Sequence, residues 1–260
     1  MRLKSESRIS NLESGINSKF QIPNSKFKLL QAKDLNKDQS YFLWTLTRDQ
    51  LKHCLFPLGN YTKPEVREMA RKFGLPNAAK PDSQGICFIG EIDLKEFLQR
   101  SIPIERGQVV TSTGKVLGEH DGVPFYTIGQ REGLGFGGGI PYYVAEKNFE
   151  TNTITVAEGP YDEVLFQSEL RVGNVHWISG AAPELPFECE ARIRYRQPLQ
   201  KARIWNLESG ILNSDPNSKF QIPNSVKVIF ADPQRAVTPG QSIVFYKGEE
   251  MLGGGVILDN

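Results

Sequence analysis

The chain has 260 residues, 39% of them hydrophobic and 23% charged, with a formal net charge of +1; that is a globular composition with room for one large domain or two to three small ones. No apolar run approaches the ~18–20 residues a membrane span needs, and the opening MRLKSESRISNLESG lacks the apolar stretch of a secretory signal. Three cysteines, Cys54, Cys87 and Cys189, with no CxxC among them, argue against a disulfide framework or a zinc site and for a reducing, cytoplasmic compartment.

Charge is uneven along the chain. Residues 1–80 carry 15 Lys and Arg against 7 Asp and Glu, and the remainder is acidic. The basic part suits either a polyanionic partner or solvated helix faces. A repeat is also plain: NLESGI at 11–16 returns at 206–211, and NSKFQIPNS at 17–25 returns at 217–225. Each copy is rich in Asn, Ser and Pro and follows an Arg-Ile pair, Arg8-Ile9 or Arg203-Ile204, that reads as a strand end. Two isolated copies fit no solenoid or propeller. They read as one element inserted twice into surface loops, where each doubling of loop length costs only ~0.6 kcal/mol.

From Asn36 to about Arg100 the pattern is helical. TKPEVREMARKFG carries a capping box (Thr62, Glu65), Pro64 in its first turn, Val66, Met69, Ala70 and Phe73 on one face, and Gly74 as a stop. Asp93 can cap a second short helix bearing Leu94, Phe97 and Leu98, ended by Ile102-Pro103. From Gly107 onward strands dominate. VVTSTGKVLG reads as a hairpin around Ser112–Gly114, and YYVAEKNFETNTITVAEG as another turning at Glu150–Asn152. After Arg171 the segments NVHWI, CEARIRY, KARIW, VKVIF, SIVFY and GGVIL are short strands that suggest a small antiparallel barrel.

Three constellations bear on chemistry. Cys87 lies in KPDSQGICFIG, a loop followed by an apolar flank; it is either a buried inert thiol or, with Lys80 and the basic first third nearby, a reactive one. Cys54 beside His53 reads as packing, and Cys189 as a core or edge residue of a strand. In EARIRYRQ the period of two places Arg192, Arg194 and Arg196 on one strand face and Ile193 and Tyr195 on the other. That ladder either grips phosphates or is a solvated exterior paired with Glu188 and Glu190. The glycine-rich GQREGLGFGGG (129–139) lacks the βαβ setting of a dinucleotide fingerprint and reads as a loop. LGGGV near the carboxyl end reads as a turn or bulge in a strand. His120 and His176 have no partners at ligand spacing, so no metal is expected.

Taken in order, NKDQSYFLWTL, LFPLGNYTKPEVREMARKFGLP, KPDSQGICFIG, YTIGQREGLGFGG, RIRYRQ and AVTPGQSIVFY closely resemble the bacterial tRNA-specific 2-thiouridylase (MnmA) family from about Lys28 to the end. That family adenylates C2 of the wobble uridine of certain tRNAs and replaces the oxygen with sulfur delivered as a cysteine persulfide. The resemblance implies that Cys87 is the persulfide-bearing cysteine, loaded by a sulfur-relay protein. It implies that Lys37, Asp38 and Gln39, together with Arg194, Tyr195 and Gln241, contact tRNA.

Two family features have no counterpart in these 260 residues: the SGGxDS loop that binds ATP, and a second cysteine before the KDQ segment. The expectation is a fragment that is inactive alone, served by a separate amino-terminal half that supplies the ATP site, or else a catalytically dead tRNA-binding remnant. The implied fold is α/β plus β. An inserted or disordered leader (1–30) is expected to precede the mostly helical remainder of a PP-loop type α/β domain (31–95). A mainly β central domain (96–168) follows, and then an antiparallel tRNA-binding β-barrel (169–260) with a loop insertion at 206–225.

Overall fold

The structure, a computed structural model, describes residues 2–4, 28–81, 94–135, 139–207 and 224–259, the first three and Leu94 by backbone alone. Cys87, Asp93, Arg8-Ile9 and most of both repeat copies therefore lie outside the described residues. In chain order the elements run β1 (Arg2–Lys4), β2 (Lys28–Leu30), α1 (Arg48–Leu51), α2 (Lys63–Lys72), α3 (Leu94–Gln99), β3 (Gly107–Thr111), β4 (Val116–His120) and β5 (Tyr142–Asn148). They continue with β6 (Thr153–Glu158), β7 (Phe166–Trp177), β8 (Phe187–Arg192), β9 (Gln200–Asn206), β10 (Val226–Arg235), β11 (Ser242–Lys247) and β12 (Glu250–Ile257). The chain divides into two compact units. The first comprises Met1–Ala79, Glu169–Asp232 and Pro239–Asn260; the second comprises Lys80–Ser168 and Pro233–Thr238.

In the first unit, six strands close in the order β12-β11-β8-β9-β10-β7 and back to β12, with β2 and then β1 added beside β12. One edge of β12 serves two partners: Glu250 and Met251 pair with β2, and Gly253–Ile257 pair with β7. Closure removes the open edges that a small sheet would otherwise present. Both repeat copies fall between paired antiparallel strands, Lys4 facing Lys28 and Asn206 facing Val226.

β11 departs from the inside-outside alternation of a solvated barrel strand. Ile243, Val244, Phe245 and Tyr246 are all fully buried. Val244 and Tyr246 are covered by Tyr41 and Trp44 of the preceding helical segment, in a cluster with Leu29, Leu51, Ile178 and Met251. The glycine run of β12 follows from the same packing. A Cβ on Gly253, whose φ is +152°, would stand 2.0 Å from the His176 carbonyl oxygen, and one on Gly254 would stand 2.6 Å from the Ile243 oxygen and 2.9 Å from Trp44 Cγ. The run is a bulged strand, with a register shift between Gly254 and Val256 against β7.

The helical segment has its own local logic. Glu65 reaches back to Thr62 N (2.5 Å) and Asp34 accepts from Lys63 N (2.9 Å), so the first turn of α2 is satisfied by two carboxylates. The Lys33 ammonium at 2.7 Å, and then the Thr62 backbone N–H and hydroxyl, hold the exposed Glu65 carboxyl down at about 2. Gly74 ends the helix at φ +66°, where a side chain would be strained.

The second unit holds a four-stranded sheet in the order β4-β3-β6-β5. Both expected hairpins are present, turning at Gly114 (φ +83°) and Asn152 (φ +49°). The hairpins join through a parallel β3–β6 pair, which no local signal announces. Its core gathers Val109, Val123, Tyr126, Leu134, Val144, Ile154 and Val156. Leu134 draws part of the glycine-rich loop into that core, and no dinucleotide-binding helix follows it among the described residues.

Two consequences are measurable. Gly254→Val should cost ~1–3 kcal/mol through overpacking against Trp44 and β11, read from urea denaturation; a wild-type midpoint would contradict the packing described. His120 is buried, with Nδ1 accepting from Gly122 N (2.9 Å) and Nε2 3.2 Å from the Asn152 oxygen. A neutral ring serves both contacts. Burial pushes its pKa below the ordinary value, against smaller upward effects of the Asn152 carbonyl and the Asp121 carboxylate. The unfolded chain therefore takes up a proton first, and stability should fall as pH drops through ~6.5. Thermal melts between pH 7.5 and 5.5 should show that slope, and His120→Gln should flatten it.

Candidate nucleic-acid interface

The sequence-predicted KDQ segment is anchored from within. Asp38 is 1% exposed; its carboxylate accepts from Ala32 N (2.9 Å) and from the Ser40 hydroxyl. Ser40 Oγ in turn lies 3.0 Å from Tyr246 Oη, and burial pushes that phenol up to about 12, so it stays protonated. Asp38 thus organises the turn, while of its neighbours Gln39 is exposed and Lys37 half-buried.

The next residues fasten the segment to the barrel through groups distant in sequence. Tyr41 Oη donates to the carbonyls of Ser242 (2.8 Å) and Ile193 (3.2 Å). Trp44 Nε1 donates to Ser242 Oγ (3.0 Å), Arg48 Nη1 to the Ser179 carbonyl (3.1 Å), and His176 Nε2 lies 3.0 Å from the Leu46 carbonyl. His176 is therefore a seam residue. Sequence reasoning weighed His176 only as a metal ligand and passed over Tyr41, Trp44, Ser242 and Tyr246; the only signal for the seam was the aromatic density of SYFLW.

The outcome is that candidate residues far apart in the chain stand together. Gln39 Nε2 donates to Tyr195 Oη at 2.5 Å across a separation of 156 residues. Phe42 packs against Tyr195 with centroids 4.8 Å apart, and Arg196 Cζ lies 5.1 Å from the same ring. Phe42 is 54% exposed, so an aromatic and guanidinium surface opens to solvent at this point. Gln241 is half-buried and its carbonyl accepts from Ile257 N (2.8 Å), directly before the Ser242 that receives Tyr41 and Trp44. Lys37 and Gln39 also border a cleft of about 490 Å³ whose walls include Leu43, Leu55, Leu58 and Tyr61.

The expected arginine ladder does not form. β8 ends at Arg192, and Ile193–Arg196 turn away, with Gln197 Oε1 capping Ile193 N (2.9 Å) and Arg196 at φ +64°. Pro198 can neither donate to a ladder nor continue one. The three arginines consequently differ: Arg192 is buried, Arg194 half-buried and Arg196 exposed.

Of the other thiols, Cys189 is pushed up to about 12, first by burial and then by the Glu190 charge, which disfavours the thiolate, and Cys54 Sγ donates to the Gln50 carbonyl (3.3 Å). Among the described residues no group of three His, Cys, Asp or Glu could hold a metal, and no helix is long and apolar enough to cross a membrane. The described residues do not fit an ATP triphosphate at α2, whose first turn is already taken by Asp34 and Glu65.

Structural and exposed members of this surface separate experimentally. Trp44→Ala should cost ~3–5 kcal/mol of stability as a large buried ring is removed, whereas Gln39→Ala should cost at most ~1 kcal/mol, the worth of one hydrogen bond at the surface. Equal losses in urea denaturation would refute this division.

Family models match in sequence along the chain: tRNA methyl transferase HUP domain over residues 2–91, tRNA methyl transferase PRC-barrel domain over 95–158, and aminomethyltransferase beta-barrel domain over 167–213 and 215–257. A tRNA-specific 2-thiouridylase MnmA of Nitrosococcus oceani is 46% identical over 237 residues, which is 89% of this chain and 61% of that protein. Its namesake from Paraburkholderia phymatum is 48% identical over 237 residues, covering 89% and 59% respectively. The chain thus spans about three-fifths of the length of the curated relatives it matches. With HUP, PRC-barrel and β-barrel matches in order and identities of this size, the chain belongs to the tRNA-specific 2-thiouridylase (MnmA) family.

Proposed function

We propose that the chain serves 2-thiolation of the wobble uridine of tRNA, contributing the persulfide cysteine and much of the tRNA surface. The observation that carries this reading is the Gln39–Tyr195 hydrogen bond. It joins the two segments that family resemblance associates with tRNA, beside an exposed Phe42 ring and the Arg196 guanidinium. Aromatic faces and guanidinium groups suit stacked bases and phosphates. In this reading Lys37, Gln39, Arg194, Tyr195 and Gln241 touch the RNA, and Asp38 supports them by fixing the turn.

Cys87 carries the sulfur. Its persulfide, loaded by a relay protein, attacks C2 of a uridine already activated as an adenylate and expels AMP; the thiol of the second cysteine that the family carries before the KDQ segment then cleaves the S–S bond, leaving the outer sulfur on C2 and a disulfide between the two cysteines. Cys189 does not substitute for Cys87, since burial keeps its thiol protonated. These 260 residues spell no SGGxDS loop, and α2 offers ATP no free N-terminus. In this reading adenylation belongs to a nucleotide-binding α/β portion outside these 260 residues.

The decisive experiment is ATP-dependent thiolation of bulk tRNA with a persulfide donor, using the chain alone and together with the amino-terminal α/β portion of a longer relative. Activity only in the mixture, abolished by Cys87→Ser, is the expected result. Activity that survives Cys87→Ser would overturn the assignment of sulfur transfer to this residue. No activity in any mixture, with salt-sensitive tRNA binding retained, would leave a tRNA-binding remnant.

A further inference from the structure

Arg192 is the last residue of β8, opposite Val244 of β11, and is 6% exposed. Its guanidinium lies on the Tyr246 ring, with Cζ 4.8 Å from the centroid. Among the described residues no carboxylate forms an ion pair with it, and Nε is sealed from solvent without an acceptor. The buried carboxylate of the same cluster, Asp38, is already engaged by Ala32 N and Ser40 Oγ.

Such a placement is costly. Taking a guanidinium out of water carries a large desolvation penalty, and a desolvated cation–π contact returns only part of it. Buried charges in folded proteins are paired. The charge is better explained by an anion that arrives from outside.

We infer that Arg192, two and three residues before the Arg194 and Tyr195 of the candidate RNA surface, is an anion subsite for a phosphate group. A guanidinium fork matches phosphate geometry through two parallel N–H donors. Arg194 adds a second positive charge close by: both arginines act electrostatically on the Tyr41 phenol, which lies between the helical segment and the barrel. The inference rests on the reading of this unit as an RNA-binding surface, and the phosphate it commits to is one of the RNA backbone. An inorganic phosphate ion has the same chemistry and serves as the simpler probe.

The test uses the whole chain with Arg192→Met and Arg192→Gln. Inorganic phosphate, titrated against chloride at matched ionic strength, should raise the melting temperature of the wild type and not that of either variant. Binding of bulk tRNA should weaken ~10- to 100-fold in the variants, the range of a charge-assisted hydrogen bond, and the slope of log K against log salt should shrink by ~0.7–0.9, one phosphate's worth. Without phosphate, Arg192→Met should melt at or above the wild-type temperature, as replacement of a buried ion by an apolar side chain allows.

Variants that bind tRNA with wild-type affinity and slope would overturn the inference and leave the RNA-binding reading standing. A phosphate effect that depends on Arg192 in a chain that does not bind tRNA would keep the anion subsite and sink the RNA reading. If both variants fail to fold, the guanidinium is required by the fold itself and the inference is overturned.

Discussion

The structure of the first unit depends on the outer face of β11 being covered. Tyr41 and Trp44 lie over Val244 and Tyr246 and send their polar atoms to Ile193 and Ser242. Two buried aromatic rings of this size bring several kcal/mol of apolar burial, and their donors are satisfied, so the contact has one orientation. Gln39, two residues before Tyr41, is then delivered to Tyr195, two residues after Ile193. The candidate RNA surface is thus a by-product of core packing: its exposed residues are positioned by neighbours that never meet solvent.

The same segment shows where its stability does not come from. α2 is amphipathic, with Val66, Met69, Ala70 and Phe73 on one side, yet none of its residues is buried. Phe73 is 75% exposed and Leu55 91%. A helix of ten residues is marginal without tertiary support, and here its visible support is the Thr62–Glu65 capping box and the Gly74 stop, together with two polar contacts from the preceding segment, Asp34 on Lys63 N and the Lys33 ion pair with Glu65. Residues 28–51 are held by the barrel, whereas α2 is held by its caps and by those two contacts.

Much of this fold was legible because its signals are local. Thr62, Glu65 and Gly74 bounded α2 correctly, and the turns at Gly114 and Asn152 announced both hairpins of the second unit. The arginine ladder was misread because alternation alone says nothing about where a strand stops. Gln197 caps Ile193 N and Pro198 follows, so the chain turns after Arg192 and its three arginines meet three different environments. The Gln39–Tyr195 contact had no local signal at all. Nor did the parallel β3–β6 pair or the double burial of β11, since each arises from segments that meet only in the folded chain.

The repeated element makes the complementary point about what the fold tolerates. One copy lies between Lys4 and Lys28 and the other between Asn206 and Val226, and in both cases the flanking residues face each other in antiparallel strands. Extra residues in such a loop add only a slowly growing closure entropy, because the ends are already held together by the ladder. The register of β9 against β10 continues unbroken from Asn206 facing Val226 to Ala202 facing Phe230. Ala202, Ile204, Val228 and Phe230 therefore stay buried. A slip of one residue would have turned that whole set to the opposite face, so the tolerance of the loop and the strictness of the register are one property of the hairpin.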